Sequence, residues 1–285
     1  MVDRTIDADM KKLSWQSASL LLVLGTAVLV AAVLVLTGTL ASAPVADRSA
    51  TGQPRTGALA NQLSAAPSPA VGALFNRQHG RLGQHFCTAS AVSSRSGDLV
   101  ITAAHCVTGV NLSDIVFAPG YSQGRFPHGL WAVTAKYVDS QWSAKQDPDD
   151  DVAFLEVRPL TGKQAAGGTL QHVAGAERLR FDAALPTPID AIGYPDGSDR
   201  AVSCSTRATE FRPDSLDQVK FVCPGFTDGT SGGPFLSDFS RSTGIGAIIG
   251  VIGGYQQGGD SPSISYSSAF TAGIRSLYEH VQKLG

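Results

Sequence analysis

The hydrophobic pattern divides the chain into three stretches. Residues 20–36 read LLLVLGTAVLVAAVLVL, and with softer flanks the uncharged run reaches roughly 20 residues, enough to cross a hydrocarbon layer of about 30 Å. The run is apolar on every face, which suits a membrane-inserting helix over residues 18–41 better than an amphipathic surface helix. Residues 42–69 then turn to Ala, Ser, Pro, Gly, Thr and Gln. Such a stretch buries too little surface to offset its ordering entropy, so it reads as a flexible linker or propeptide. From residue 70 onward, short apolar runs alternate with turn residues.

Those runs predict strands over 99–103, 130–138, 152–157, 202–209, 219–223, 247–252 and 263–270, each bounded by Gly, Pro, Asp or Ser. In 131–137, WAVTAKY, large or apolar side chains alternate with smaller or polar ones, the period of a half-buried antiparallel strand. Only the end changes period: Ile274, Leu277, Tyr278, Val281 and Leu284 recur at three and four residues and predict one amphipathic helix from about Thr271. Strands without helices between them point to antiparallel barrels or sandwiches rather than βαβ units.

Composition narrows the partners. Charged residues make up 16% of the 285 positions and the formal net charge is −2, so nothing draws the chain toward nucleic acid. Lys11 and Lys12 precede the apolar run, which orients residues 1–17 to the cytoplasm and sends the remainder outside. Ala41-Ser42-Ala43 offers a small-residue cleavage site, although the run is longer than an ordinary signal core. A cleaved signal peptide and a retained membrane anchor both fit. The domain at 70–285 is expected to be secreted or extracytoplasmic in either case.

All four cysteines lie beyond that run, in the part expected to be oxidised. They allow three pairings, and the sequence alone does not choose among them. The nearest neighbours, Cys87 with Cys106 and Cys204 with Cys223, would each close a loop of about 20 residues and contribute ~3 kcal/mol in the chain-entropy account. A zinc site is disfavoured, since no C-x-x-C occurs.

Three segments carry chemistry. Ser231 sits in Gly229-Thr230-Ser231-Gly232-Gly233, which also satisfies the G-x-S-x-G of the α/β-hydrolase nucleophile elbow. That elbow needs a strand-to-helix turn with an acid and then a histidine downstream. Here Pro234 follows at once, and the downstream candidates are Asp260 and His280 on the terminal helix. Upstream partners fit better. The run LVITAAHC delivers His105 next to Cys106 at the end of a buried strand, and DDDVAFL places Asp149, Asp150 and Asp151 at the mouth of another. A carboxylate there could enter the interior only if paired, and a histidine N–H is a natural partner.

Taken together, TAAHC, DVAFL and GTSGGP in that order resemble the trypsin/chymotrypsin-like serine peptidases, over about residues 70 to 285. The resemblance implies an all-β fold of two antiparallel six-stranded barrels with a C-terminal helix, and an active site in the cleft between the barrels. Carried over, it makes Ser231 the nucleophile, His105 the general base and then acid, and Asp151 the residue that orients His105. Asp149 and Asp150 stand as register-shifted alternatives. Gly229 and Ser231 would donate backbone N–H groups to the oxyanion. The family's disulfide beside the catalytic histidine matches Cys87 with Cys106, whereas Cys204 with Cys223 rests on proximity alone.

The resemblance also implies a primary pocket based near Gly225, with Phe226 and Thr227 on one wall and Val251, Ile252, Gly253 and Gly254 along the substrate backbone. No acid stands at the base, which argues against a preference for Lys or Arg. Thr230 replaces the Asp that in many relatives captures a new N-terminal amine, and no I-V-G-G start occurs near residue 70. Activation, if there is any, is then expected to avoid that insertion switch, as in the bacterial secreted, glutamyl-endopeptidase-like branch. The expected function is that of a serine endopeptidase acting on peptide or protein substrates through an acyl-enzyme. No metal or organic cofactor is expected, and the membrane is a partner only through an uncleaved N-terminal helix. A protease-like binding protein without turnover is the alternative, and an α/β-hydrolase esterase the weaker one.

Overall fold

The structure, a computed structural model, describes residues 68–160 and 168–284. The expected membrane-inserting segment, and all but the last two residues of the expected linker, lie outside the described residues.

The first six strands are β1 (Val71–Gln78), β2 (Arg81–Val92), β3 (Leu99–Thr102), β4 (Ile115–Pro119), β5 (Trp131–Val138) and β6 (Ala153–Pro159). They close a barrel in the order β1-β2-β3-β6-β5-β4, with every neighbouring pair antiparallel. The period of two is visible in where their side chains go. Leu74, Val100 and Leu155 belong to one buried cluster, while Phe75, Leu99, Ile101 and Phe154 from the same strands belong to a second. That second cluster also takes in Ile192, Leu236, Ile248 and Val251 from the other half of the molecule. Both faces of these strands are therefore apolar, which is why they read as continuous hydrophobic runs.

Between β5 and β6 lies a short helix, α1 (Ser140–Lys145), and after β6 another, α2 (Leu170–Ala174). The strand reading did not foresee α1, which is set by local chemistry. The Asp139 side chain accepts a hydrogen bond from Gln141 N at 2.7 Å as the N-cap, and Trp142 is buried.

The second half contains β7 (Arg178–Leu179), β8 (Thr187–Gly193), β9 (Val202–Phe211), β10 (Gln218–Val222), β11 (Pro234–Ser240), β12 (Ile245–Val251) and β13 (Ile264–Ser268). They form a seven-stranded sheet in the order β13-β10-β9-β8-β11-β12-β7. The expectation was six antiparallel strands. The seventh, β7, is two residues long and runs parallel to β12, because the chain enters this half alongside Ala247 and Ile248. A third buried cluster, including Ile189, Phe221, Phe226, Phe235 and Ile249, fills this sheet.

The terminal helix α3 (Ala272–Val281) buries Ile274 and Val281 in the cluster shared by the two halves, with Leu277 and Tyr278 packed at its edge. Leu284, the last member of the sequence stripe, is exposed. Two disulfides join Cys87 to Cys106 and Cys204 to Cys223, with Cα atoms 6.3 and 6.5 Å apart. A mostly antiparallel all-β architecture leaves no place for the α/β-hydrolase alternative. Asp260 borders the cleft described below, but His280 lies on α3 and does not.

Candidate active site

His105 opens a tight 3-10 turn, His105–Val107, just beyond β3. Ala103 and Ala104 lead into it with no exposed surface, and the next residue is tied to β2 by the Cys87–Cys106 disulfide. Both sulfurs beside the imidazole are thus oxidised and offer no thiolate. The ring is pinned from the other side by Asp151.

Asp151 follows a second 3-10 turn, Pro148–Asp150, whose N-cap Asp147 accepts from Asp149 N. Its side chain is fully buried, yet every lone-pair direction in use meets a donor. Oδ2 accepts from His105 Nδ1 at 2.7 Å and from Gly254 N at 2.8 Å, and Oδ1 accepts from His105 N at 2.8 Å. Three such bonds compensate the cost of removing a carboxylate from water. The bond to Nδ1 places the proton on that nitrogen and leaves Nε2 free to act as a base.

The neighbouring acids do other things. Asp149 turns to the second sheet, where it accepts from Asp217 N and from Gln218 Nε2. Asp150 bonds no histidine. Burial raises its pKa to about 6, with Asp139, Asp147 and Asp149 adding like-charge repulsion. Of the three register alternatives, only Asp151 meets His105.

Ser231 lies in the loop between β10 and β11, clamped from both halves. Thr88 N donates to Ser231 O at 2.7 Å from the first barrel, and Gly232 N donates to Ile252 O at 2.7 Å within the second sheet. Gly229 has φ +86° and Gly232 φ +80°, conformations that favour glycine. A Cβ at Gly229 would also strike the Asp196 carboxylate, and one at Gly232 the Thr102 hydroxyl. Among the described residues, the N–H groups of Gly229 and Ser231 have no hydrogen-bond acceptor, nor has the Ser231 hydroxyl a partner. Thr230 is buried, and its hydroxyl donates to Thr227 O at 2.7 Å.

Thr88 ties the serine loop to the first barrel, and composition gave no sign of it. Its backbone holds Ser231, its hydroxyl donates to Gly229 O at 3.0 Å, and Tyr194 N donates back to that hydroxyl at 2.8 Å.

His105 and Ser231 line one cleft of about 500 Å³ together with Phe226, Thr227 and Ile252. Gly225, Val251, Gly253 and Gly254 are not among its lining residues. Val251 is buried between the sheets, Gly253 N donates to Tyr266 O at 2.9 Å, and Gly254 N is taken up by Asp151. The cleft instead gains Asp228, Gln256, Gln257 and the segment from Gly258 to Pro262, a turn whose lack of periodicity hid it in the sequence. An adjoining cleft of about 400 Å³ shares His105, Asp228, Ser231 and Gln257, and is walled by Phe86, the Cys87–Cys106 disulfide and Asp196. Among the described residues, no Lys or Arg lines either cleft.

The sequence profile of the trypsin-like peptidase domain matches residues 87–245. No curated protein matches the sequence at a significant level. Among solved structures, the chain is similar to the protease Anisep from Arthrobacter nicotinovorans, at 27% identity and TM-score 0.63, covering 76% of this chain and 97% of that one. It is likewise similar to the thermostable serine protease AL20 from an extremophilic microorganism, at 26% identity and TM-score 0.62, covering 77% and 100%. A Glu endopeptidase in complex with MPD, at 19% identity, TM-score 0.55 and coverage of 76% and 92%, shares the fold. With its two β halves, its histidine and serine on one cleft and more than half its length matched, the chain belongs to the trypsin-like peptidase domain family and is a serine-type endopeptidase.

Proposed function

We propose that the protein hydrolyses peptide bonds outside the cytoplasm through an acyl-enzyme formed on Ser231, with His105 and Asp151 completing the catalytic set. The observation that carries this reading is the buried Asp151 carboxylate bonded to both the ring and the backbone of His105, while Nε2 stays free on the cleft that Ser231 lines. As the Ser231 hydroxyl attacks the scissile carbonyl carbon, its proton passes to His105 Nε2, and the imidazolium so formed is stabilised by Asp151. The carbonyl oxygen becomes an oxyanion at the unpaired N–H groups of Gly229 and Ser231, each donor worth ~3 kcal/mol in the transition state. The C–N bond then breaks as His105 returns the proton to the leaving amine. Water, activated by the same imidazole, cleaves the ester and restores Ser231. The Ser231 hydroxyl bonds His105 in the substrate complex, since catalytic hydrogen bonds tighten there.

Two disulfides agree with an oxidising compartment. Thr230 satisfies its own hydroxyl within the turn, so the serine loop keeps its form without an ion pair to a new N-terminus. Membrane attachment through residues 18–41 belongs to the same reading, and mass analysis of the exported protein tests whether the chain is cut after Ala43. A fluorophosphonate probe tests the chemistry. It is expected to label the oxidised protein and to leave Ser231→Ala unlabelled. Absence of Ser231-dependent labelling in folded protein would replace this reading with a peptide-binding role on the same fold.

A further inference from the structure

We infer that Gln218 is a positioning residue for the catalytic pair, its side-chain amide joining the loop that carries Asp151 to the turn after β12 that carries Gly254. The inference rests on the reading of Asp151 and His105 as catalytic partners. It goes beyond that reading in locating what holds the acid in place.

Gln218 is buried, at 1% exposure, and lies in β10 between Phe211 of β9 and Ser268 of β13. Two hydrogen-bonded neighbours make its backbone a rigid platform. Its side chain then makes three hydrogen bonds around the site. Nε2 donates to Asp149 Oδ1 at 2.6 Å and to Pro148 O at 3.1 Å, and Oε1 accepts from Tyr255 N at 2.9 Å. Pro148 and Asp149 belong to the turn that delivers Asp151. Tyr255 follows Gly254, whose N–H is one of the two donors on Asp151 Oδ2.

The glutamine also packs closely on Gly254. Gly254 has φ +72°, and a Cβ there would overlap Gln218 Oε1. The glutamine carbonyl therefore packs against the Cα of Gly254, whose own N–H reaches Asp151 and whose successor's N–H it accepts. With that carbonyl gone, Tyr255 N loses its acceptor and the Gly254 peptide loses its support. With the Nε2 donor gone, the Pro148–Asp149 segment loses its tie to the second sheet. Both changes loosen the same carboxylate, from opposite sides.

Gln218→Met keeps the length and apolar volume while removing all three bonds. In folded protein it is expected to lower kcat/KM about 10- to 100-fold, the scale of a small misplacement of catalytic groups. The rate of fluorophosphonate labelling should fall with it. The acidic limb of the pH profile should move to lower pH, because a less firmly held Asp151 stabilises imidazolium less. A merely structural role would reduce the number of titratable active sites and leave both the per-site rate and that limb unchanged.

A swap provides the second test. Gln218→Glu alone sets a new carboxylate against Asp149 and should be impaired. Adding Asp149→Asn lets the new amide donate to it, while Tyr255 N keeps its acceptor, so the double variant should recover part of the activity lost in Gln218→Glu alone, the tie to Pro148 O staying broken in both. Folded Gln218→Met with wild-type per-site rate and pH limb, or no recovery in the swap, overturns the inference. A wild-type protein that fails to react with the probe would instead overturn the catalytic reading itself.

Discussion

Asp151 holds His105 at two points, the imidazole Nδ1 at 2.7 Å and the backbone N at 2.8 Å. A single carboxylate thereby orients the ring and also fixes the turn on which the ring stands. The bond to the backbone explains why no other acid of the DDD run can substitute: Asp149 and Asp150 sit on the preceding turn and point elsewhere.

From this, Asp151→Asn is expected to cut kcat by on the order of 10⁴-fold, because an amide favours the wrong imidazole tautomer. It also turns an N–H group toward donors that now meet an acceptor. Asp150→Asn, one residue earlier, should leave kcat within about threefold of wild type, as expected for a side chain with no contact to the reacting groups. Steady-state kinetics of the two variants side by side decides the matter, and equal losses would mean the wrong acid has been assigned.

Gly229→Ala tests the oxyanion loop. The added methyl must enter space held by the Asp196 carboxylate, at a φ of +86° that alanine resists. Rotation of the peptide would misdirect the Gly229 N–H, and loss of such a donor costs about 10²- to 10³-fold in kcat. Substrate affinity should change much less. A variant with normal kcat would show that this amide is not an oxyanion donor.

Glu177 supplies a pH dependence of stability independent of catalysis. It is fully buried, accepts from Ser68 Oγ at 2.8 Å and from Gly246 N, and has its pKa raised by burial to about 7, against the two hydrogen bonds and Arg178, which lower it. The folded state therefore binds this proton more tightly than the unfolded state does. Its contribution is fully present below the unfolded value near 4.5 and is lost as pH rises toward 7, after which it is constant. The span corresponds to about 3 kcal/mol. Gln mimics the protonated acid, donating to Ser68 Oγ and accepting from Gly246 N. Glu177→Gln should therefore gain stability over wild type between pH 5 and 8 in denaturant melts. A pH-independent difference between the two proteins would rule the account out.

Charge selection should follow from the cleft. Asp228 and Asp260 line it, Asp196 lines the adjoining one, and among the described residues no Lys or Arg lines either. Elsewhere Asp182, Asp190, Asp217 and Asp238 have arginine partners, whereas these three have none among the described residues. Peptides with a basic side chain near the scissile bond are expected to show higher kcat/KM than acidic ones, with the advantage shrinking at high salt. Asp228→Asn and Asp260→Asn should reduce it. A peptide library cleaved without regard to charge would remove this expectation. It departs from the inference drawn at Gly225, because the acids reach the cleft from loops that a position-by-position reading of the pocket base does not cover.

Much of the fold was legible where hydrophobic period and burial agree. Val100 and Leu155 alternate with Leu99, Ile101 and Phe154, so β3 and β6 stood out, as did the α3 stripe from Ile274 to Val281. β2 and β11 did not stand out, since RLGQHFCTASAV and PFLSDFS mix small and polar residues that are buried by their neighbours rather than by their own hydrophobicity. The two-residue β7 carries no period at all, and its existence depends on β12 lying beside it.

The sequence by itself determined the family resemblance, the order of His105, an acid of the 149–151 run and Ser231, and the glycine frame around the serine, because each is a local matter of residue type and spacing. Only the tertiary structure decided which acid reaches the imidazole, which amides are left unpaired, and that Thr88 and Gln218 hold the parts together. Those are contacts between residues far apart in the chain, and a hydrogen bond from β10 to a turn of the first barrel leaves no mark on the segments that make it. It exists only once packing has brought a buried amide within reach of the groups that would otherwise be left without partners.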